Sequence, residues 1–401
     1  MLFHWPTSRT LIAYGCIAAS VIDSTKQTSP ENVDAKEMAN LCVELYGGVA
    51  RAGDMVASDR IPKFISPSLP HLSSLMMYYA EDLSICECLL RLFHDYAEQF
   101  IAVLDPQACL VLFQSSAELL KSYSAHHCKA SRVVIAPQHA AEEEQNYSDI
   151  LCAIQLLIQL GTKDFIDIGG NNTGVESGQV TQMIFFGLQQ ILPLMTKGLL
   201  QFPSLCGQYF SLVGFMMETY PDKVASLPYE LFDALLESLL FGMSHHDSTV
   251  AKSSLQGLAG LLRDHLQSKS LDQHLATSIS SNANSIGGGP DAWLLDKVSR
   301  RLLADVVFQN VIWDRIEAAG LALLPLVAVD LQRFAAVVQQ LTLQVPVEHQ
   351  QRLSQAFERL LAPDVVSKVS SRGYEGRQNR IKFKKDFEEF CHEIHSFLII
   401  R

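Results

Sequence analysis

The residues best suited to chemistry in this chain are histidines that stand beside a cysteine or an aspartate. Three clusters combine these residue types: His126-His127-Cys128, His245-His246-Asp247, and Cys391-His392 with His395. Such residues bind zinc or act as nucleophile and base, but adjacent residues on a helix point in different directions. A Cys/His pair also needs a third group that orients the base, and no such group accompanies Cys391. The sequence therefore predicts no catalytic residue, no metal site and no cofactor, and we expect that the protein is not an enzyme.

Two loops, residues 169–178 and 268–290, are rich in Gly, Ser and Asn. A glycine-rich loop can hold a phosphate with its backbone N–H groups. Neither loop matches G-x-x-x-x-G-K-[ST] or G-x-G-x-x-G, however, and neither follows a predicted strand. Because both loops also lack hydrophobic periodicity, we interpret them as mobile surface insertions between helices.

Composition and charge limit the classes of partner. The chain has 401 residues, of which 48% are hydrophobic and 18% are charged, and its formal net charge is −12. General nucleic-acid binding needs an excess of Lys and Arg to replace phosphate counterions, so we expect no nucleic-acid partner. An acidic protein attracts basic protein partners through its summed field. No stretch reaches the roughly 18 to 20 apolar residues that a transmembrane helix needs, so we expect no membrane association.

The nine cysteines indicate a reducing compartment. Their number is odd and their spacing lacks a regular framework, which argues against a secreted fold that is stapled by disulfides. The apolar run at residues 11–20 is interrupted by Tyr14 and Gly15, which makes it a poor signal peptide. We interpret this run as an amphipathic helix whose partner lies upstream.

Apolar residues recur at the helical spacing of three and four in almost every segment. The segment Glu81–Leu104 has one predicted apolar face, which consists of Leu83, Cys86, Leu89, Leu90, Phe93, Ala97, Phe100, Ile101 and Leu104. Asp105 and Pro106 follow as the expected N-cap and first residue of the next helix. The same pattern of helical spacing and capping residues continues along the chain, and we expect Gly161 to end one of these helices as its C-cap.

Helices recur in pairs at roughly 40 to 60 residues, which is close to the spacing of HEAT-type repeats when insertions are allowed. The segment Leu199–Met243 contains two very apolar helices joined near Pro221 and Pro228. A single hairpin cannot bury both of its apolar faces, so helices this apolar need neighbours on more than one side. In the second helix of this pair, the residues expected to face those neighbours are Phe232, Leu235, Leu236 and Leu239.

The predicted fold is all-α. It is a HEAT-type helical-repeat superhelix, or α-solenoid, built from antiparallel helix pairs. We expect residues 1–401 to form a single solenoid of about six to seven pairs.

Three stretches carry a resemblance to a known family. They are AEEEQNYSDILCAIQLLIQLGTKDFIDIGG, the segment from ILPLMTKGLLQFPSLCGQYF to ALLESLLFGM, and QQRLSQAFERLL with NRIKFKKDFEEFCHEIHSFLII. In this order they resemble the C-terminal third of the exportin-4 family, which are large HEAT-repeat nuclear transport receptors of the importin-β superfamily. The resemblance covers roughly Ala140 to Arg401 and is weaker before that.

The resemblance implies a Ran-GTP-dependent carrier that moves folded proteins between nucleus and cytoplasm and shuttles through the nuclear pore. The implied partners are Ran-GTP in the full-length receptor, nuclear pore proteins, and a protein cargo such as hypusinated translation factor 5A. Such receptors are more than twice as long, so the chain is expected to be the C-terminal part of one: a fragment, an incomplete gene model or a short isoform. A generic α-solenoid scaffold without a transport role is the alternative, and composition does not separate the two.

Two charged segments are candidates for partner contact. Glu142, Glu143 and Glu144 form the most concentrated acidic run, and hypusine is a long cationic side chain, so these residues are our cargo-contact candidates. Their other interpretation is a negative first turn that complements the helix dipole. The segment Asn379–Lys385 is a local basic patch, which we expect to be a solvated helix start.

Overall fold

A computed structural model describes residues 23–24, 32–52, 60–127, 140–168, 177–196, 198–271, 292–308, 313–361 and 374–398. Within these ranges the backbone is predominantly helical and forms no strand, which confirms the all-α prediction. The chain divides into two compact units, Met1–Gln208 and Tyr209–Arg401. A single solenoid over the whole chain stays a prediction. The two predicted insertions fall mainly on residues 169–176 and 272–291, which lie outside the described residues.

The described helices of the first unit are α1 (Val33–Arg51), α2 (Ile61–Ile65), α3 (Leu69–Tyr78), α4 (Leu83–Phe100), α5 (Pro106–His127), α6 (Ala140–Ile168) and α7 (Ser177–Ile191). They lie in two rows. One row places α1, α4 and α6 side by side, and the other places α3, α5 and α7 side by side. Because successive long helices alternate between the rows, each helix pair contributes one member to each row. This is the packing of helical repeats, in which a unit contacts only its neighbours.

Helix α8 (Pro203–Thr219) begins in the first unit and ends in the second. The other described helices of the second unit are α9 (Pro221–Ala225), α10 (Tyr229–Met243), α11 (Ser248–Ser268), α12 (Ala292–Phe308), α13 (Trp313–Val329), α14 (Leu331–Thr342), α15 (Val347–Leu360) and α16 (Tyr374–Leu398). The two-row pattern recurs. Helices α11, α13 and α16 form one row, helices α10, α12 and α14 form the other, and α15 packs against α14 and α16.

Helix α4 shows how a helix with neighbours on two sides is buried. Its N-cap is Asp82, whose carboxylate accepts from the N–H groups of Ser84 at 2.9 Å and Ile85 at 3.2 Å. The predicted apolar face is buried from Cys86 onward. Leu83 was predicted wrongly, since it is 48% exposed in the first turn. Ile85, Leu92 and Tyr96 are buried outside the predicted face, because α1 and α6 pack on different sides of this helix.

The predicted C-cap at Gly161 is wrong. Helix α6 continues through this glycine to Ile168. A glycine inside a helix costs about 1 kcal/mol relative to alanine, and buried packing can exceed that. Leu157 and Leu160 are fully buried just before Gly161, so packing against the neighbouring helices outweighs the local preference to stop.

The apolar pair in Leu199–Met243 is confirmed. It consists of α8 and α10, with the short helix α9 between them. The four residues expected to face neighbours are buried, with exposed fractions of 3% or less: Phe232, Leu235, Leu236 and Leu239. Helix α10 packs against α11 and, more lightly, α12.

Helices α8 and α11 approach each other so closely that their backbones touch. A Cβ placed on Gly257 would lie 2.9 Å from Gly214 Cα, and one on Gly260 would lie 2.6 Å from Glu218 Cα. Real Cβ atoms do not approach backbone atoms so closely, so no larger residue fits at these positions without moving a helix. The part of α8 around Gly214 and Glu218 is therefore an interior element of the second unit.

No single helix in the described ranges is long and apolar enough to cross a membrane. The bent pair Asp314–Val329 and Leu331–Thr342 meets the test together, by length and composition only. Leu323, Leu326 and Val327 of this pair are buried within the protein.

Candidate interaction surfaces

Cys391, the cysteine of the third sequence cluster, has surroundings that disfavour the thiolate form of its side chain. This residue lies on α16 with no exposed surface, and burial raises the pKa of its thiol to about 12. The thiolate is the nucleophilic form, so a thiol with so high a pKa is inert at neutral pH. Cys391 is therefore a core residue.

The cluster at His245, His246 and Asp247 holds a loop in place. Asp247 caps α11 by accepting from the N–H of Thr249 at 2.7 Å, and this bond lowers the pKa of its carboxyl group. The Nδ1 atom of His245 accepts from the N–H of Asp247 at 3.1 Å, and burial is the main cause of its lowered pKa. The carbonyl of His246 accepts from the Arg315 guanidinium at 2.6 Å. A capping carboxylate and an occupied Nδ1 fit a structural loop better than a metal site.

The cluster around His126 is also structural where it is described. His126 Nδ1 lies 2.9 Å from the carbonyl oxygen of Ser122, and the ring of His127 packs 4.6 Å from that of Tyr123. The third member, Cys128, lies outside the described residues. The two histidine rings thus have different surroundings, as expected for neighbours on a helix.

The sequence analysis missed one group with metal-ligand chemistry, on α4. Ligand atoms of His94, Asp95 and Glu98 lie within 4.8 Å of one another. Asp95 accepts from Arg51 at 2.9 Å and pairs with His94 at 3.1 Å. Burial alone would raise the pKa of Asp95, but these two hydrogen bonds lower it overall. A guanidinium already neutralises the carboxylate, so the group is an ion pair that joins α1 to α4. The i, i+4 spacing of His94 and Glu98 was the only sequence signal.

The acidic run of Glu142, Glu143 and Glu144 lies at the beginning of α6. Tyr147 has non-helical backbone angles, φ −135° and ψ 16°, so a kink separates this beginning from the packed part of the helix. A position near a helix N-terminus suits carboxylates, because the dipole there is positive. Their side chains lie outside what the structure describes, and cargo contact stays a prediction.

Helix α1 carries an apolar stripe on the side that faces away from its buried residues. Met38, Leu41 and Leu45 are 47%, 46% and 69% exposed. Leu41 and Leu45, together with Glu44, border an open groove of about 440 Å³. Contiguous apolar exposure of this kind marks contact surfaces. The buried side of α1 packs against α4.

Ion pairs join neighbouring helices within the second unit. Arg359 on α15 pairs with Glu393 on α16 at 2.6 Å, and Lys384 on α16 pairs with Glu317 on α13 at 2.6 Å. Lys297 on α12 likewise pairs with a glutamate on α10. Three cations that lie between helices of this unit are thus matched by acids.

These elements define a helical-repeat protein whose described residues offer contact surfaces and bring together no nucleophile, base and orienting group. A family model described as Exportin-4 matches residues 57–400. The chain belongs to the exportin-4 family, which is of the karyopherin type of transport receptor. The match begins well before Ala140, where the resemblance was expected to weaken, so helices α2 to α5 carry family sequence as well. Exportins are transport receptors and not enzymes.

Proposed function

We propose that this chain provides cargo-binding surface in a nuclear export receptor that depends on Ran-GTP. The observation that carries the proposal is the family match over residues 57–400. A shuttling receptor passes through the nuclear pore, so its partners are Ran-GTP, nuclear pore proteins and a folded protein cargo. Hypusinated translation factor 5A is the proposed cargo.

The charge of the chain supports a basic cargo group. The formal net charge is −12, and a field of that sign raises the local concentration of cations at the surface. Glu142, Glu143 and Glu144 are the proposed contacts for the cationic hypusine side chain. They precede the kink at Tyr147, and the buried residues of α6 that the structure describes begin at Tyr147, so we expect that exchanging the glutamates leaves the packed part of α6 intact.

Charge reversal tests this assignment. In the full-length receptor, changing all three glutamates to Lys should lower the affinity for hypusinated factor 5A by about tenfold at low salt. The loss of affinity should shrink as added salt screens the charges. The matched control reverses three exposed acids elsewhere: Glu37, Glu118 and Glu358. Both variants change the net charge equally. Equal affinities for the wild-type receptor and the candidate variant would remove these three residues from the cargo site.

The dependence on Ran separates a carrier from a scaffold. The chain, within the full-length receptor, should retain hypusinated factor 5A from nuclear extract when GTP-loaded Ran is added and release it with the GDP-loaded form. The precursor of factor 5A that bears an unmodified lysine is the matched cargo control. Equal retention of factor 5A with GTP-loaded and GDP-loaded Ran would favour the alternative that the chain is a scaffold without a transport role.

A further inference from the structure

One face of α16 breaks the charge pattern of the rest of the molecule. Arg377, Lys382 and Lys385 are exposed on the first half of this helix, and Ile381 between them is 54% exposed. We call these four residues the basic face. Within the described part of the chain, neither Arg377 nor Lys385 forms an ion pair, although interhelical cations such as Lys384 do. A chain of net charge −12 thus presents a local positive surface.

The basic face is unfavourable for the helix that carries it. Helix α16 begins at Tyr374, so Arg377 lies in the first turn, where the positive end of the helix dipole repels cations. Arg380 follows Arg377 at i+3, and Lys385 follows Lys382 at i+3, and like charges at this spacing also destabilise a helix. Of the acids on α16, Glu375 stands only two residues before Arg377 and so does not share its side of the helix, whereas Glu388 and Glu389 follow Lys385 at i+3 and i+4 and offset that lysine in part. On α13, Glu317 is paired with Lys384 and Asp314 with Lys252.

The position of this face is fixed. On the other side of α16, Phe383, Phe387 and Phe390 are buried, and Phe387 packs against Gly320 of α13. This packing prevents α16 from rotating about its axis or moving away from α13, so Ile381 stays exposed. The packed helix backbone therefore sets the spacing of Arg377, Ile381 and Lys385 along α16, and this spacing selects what can bind all three.

We propose that the basic face binds an acidic segment of a protein partner in extended conformation. Arg377, Ile381 and Lys385 follow one another at i, i+4 and i+8, so the two cations lie about 12 Å apart along the helix with the apolar side chain midway. In an extended chain, alternate side chains share one side, and four residues span about 13 Å. A segment with the pattern acidic-x-apolar-x-acidic therefore meets all three residues at once.

A short peptide fits this surface better than a polyanion does. Duplex nucleic acid and an anionic membrane present broad fields of negative charge, which the chain's net charge of −12 repels over most of its surface. A peptide meets only the local cations. This proposal does not depend on cargo binding, because α16 carries neither the acidic run nor any residue invoked for it.

The test measures binding of a fluorescent peptide to this chain by anisotropy. The probe is a synthetic peptide with the acidic-x-apolar-x-acidic pattern, and its control is a peptide of the same composition in scrambled order. We expect the patterned peptide to bind about tenfold more tightly at low salt and to weaken as salt rises. Equal binding of the two peptides would overturn the proposal, and so would tighter binding of single-stranded DNA or of vesicles rich in phosphatidylserine.

Variants locate the site. The double variant Arg377→Glu with Lys385→Glu should bind the patterned peptide about tenfold more weakly than the wild type. The neutral double variant Arg377→Gln with Lys385→Gln should lose less affinity. Ile381→Ser should remove the preference for the patterned over the scrambled peptide. The matched control, Lys63→Glu with Lys121→Glu, reverses two exposed lysines of the first unit and changes the net charge equally. An equal loss in this control would show that bulk charge, and not the basic face, attracts the peptide.

Discussion

Helices α11 and α16 belong to the same row of the second unit but are built differently. Helix α11 has neighbours on several sides and meets α8 backbone to backbone through Gly257 and Gly260. Helix α16 buries a line of phenylalanines on one side and exposes cations on the other. The close contact of the first helix serves packing, whereas the second carries exposed cations that do not serve it, one of which, Arg377, is disfavoured by the helix dipole. The comparison teaches that, where the described residues bring together no nucleophile, base and orienting group, exposed residues that do not serve the fold are the ones that point to a partner.

The largest expected effect belongs to the interior. Leu236→Asp on α10 places a carboxylate where no surface is exposed, and an unpaired buried charge costs several kcal/mol. We expect the free energy of unfolding, measured by chemical denaturation, to fall by at least about 4 kcal/mol. Leu343→Asp is the matched control, since Leu343 is 68% exposed in the same unit. An unchanged free energy of unfolding for Leu236→Asp would show that α10 is peripheral.

The glycine contacts come next. Gly260→Ala adds a methyl group 2.6 Å from Glu218 Cα, which forces the two helices apart, and such overpacking costs about 1 to 3 kcal/mol. Gly207→Ala on α8 has nothing within 4 Å and should instead stabilise by about 0.5 to 1 kcal/mol through helix propensity. Thermal unfolding of both variants distinguishes a close helix contact from a general effect of glycine. Stabilisation by both would contradict the contact.

A smaller effect is expected at the N-cap of α4. Asp82→Ala removes two backbone hydrogen bonds and the ion pair with Lys36, and a lost cap costs about 1 kcal/mol. Burial would raise the pKa of Asp82, but Lys36 and the N–H groups of Ile85 and Ser84 lower it overall. A lowered folded-state pKa means that the stabilisation is present above about pH 4, the ordinary pKa of Asp, and is lost as the pH falls through the folded value.

The pH dependence of the Asp82 variant is therefore the check. The difference in stability between wild type and Asp82→Ala should be full at neutral pH and should narrow in acid. Asp82→Asn keeps the capping oxygen and loses the charge, so its free energy of unfolding at neutral pH should lie between those of the wild type and Asp82→Ala. A difference that grows below pH 4 would contradict the sign of the shift.

The smallest effect on stability is expected at the basic face. Arg377→Glu relieves repulsion from the helix dipole, whereas Lys385→Glu meets Glu388 and Glu389 at i+3 and i+4. The two effects oppose each other, so the free energy of unfolding should change by no more than about 0.5 kcal/mol. Circular dichroism should show unchanged helix content. Marked destabilisation would mean that these cations serve the fold, which would erase the contrast with α11.

The sequence predicted the fold class because helical spacing and caps are local signals. Asp105 accepts from the N–H of Ala108 at 2.9 Å, as its place before Pro106 predicted. The errors arose where neighbours decide. Tyr96 is buried because α4 is packed on two sides, and α6 runs through Gly161 because Leu157 and Leu160 hold it. Contact surfaces could be predicted least, since an exposed apolar residue such as Ile381 does not belong to the periodic pattern that marks a buried helix face.

The central claim is that this chain is part of a receptor that binds cargo under the control of Ran. The most direct measurement is calorimetric titration of hypusinated factor 5A into the full-length receptor in the presence of Ran-GTP and of Ran-GDP. The account predicts affinity at least about tenfold higher with Ran-GTP, since a coupling free energy of 1.4 kcal/mol corresponds to that factor. Equal affinity in the two nucleotide states, or no cargo binding in either, would contradict it.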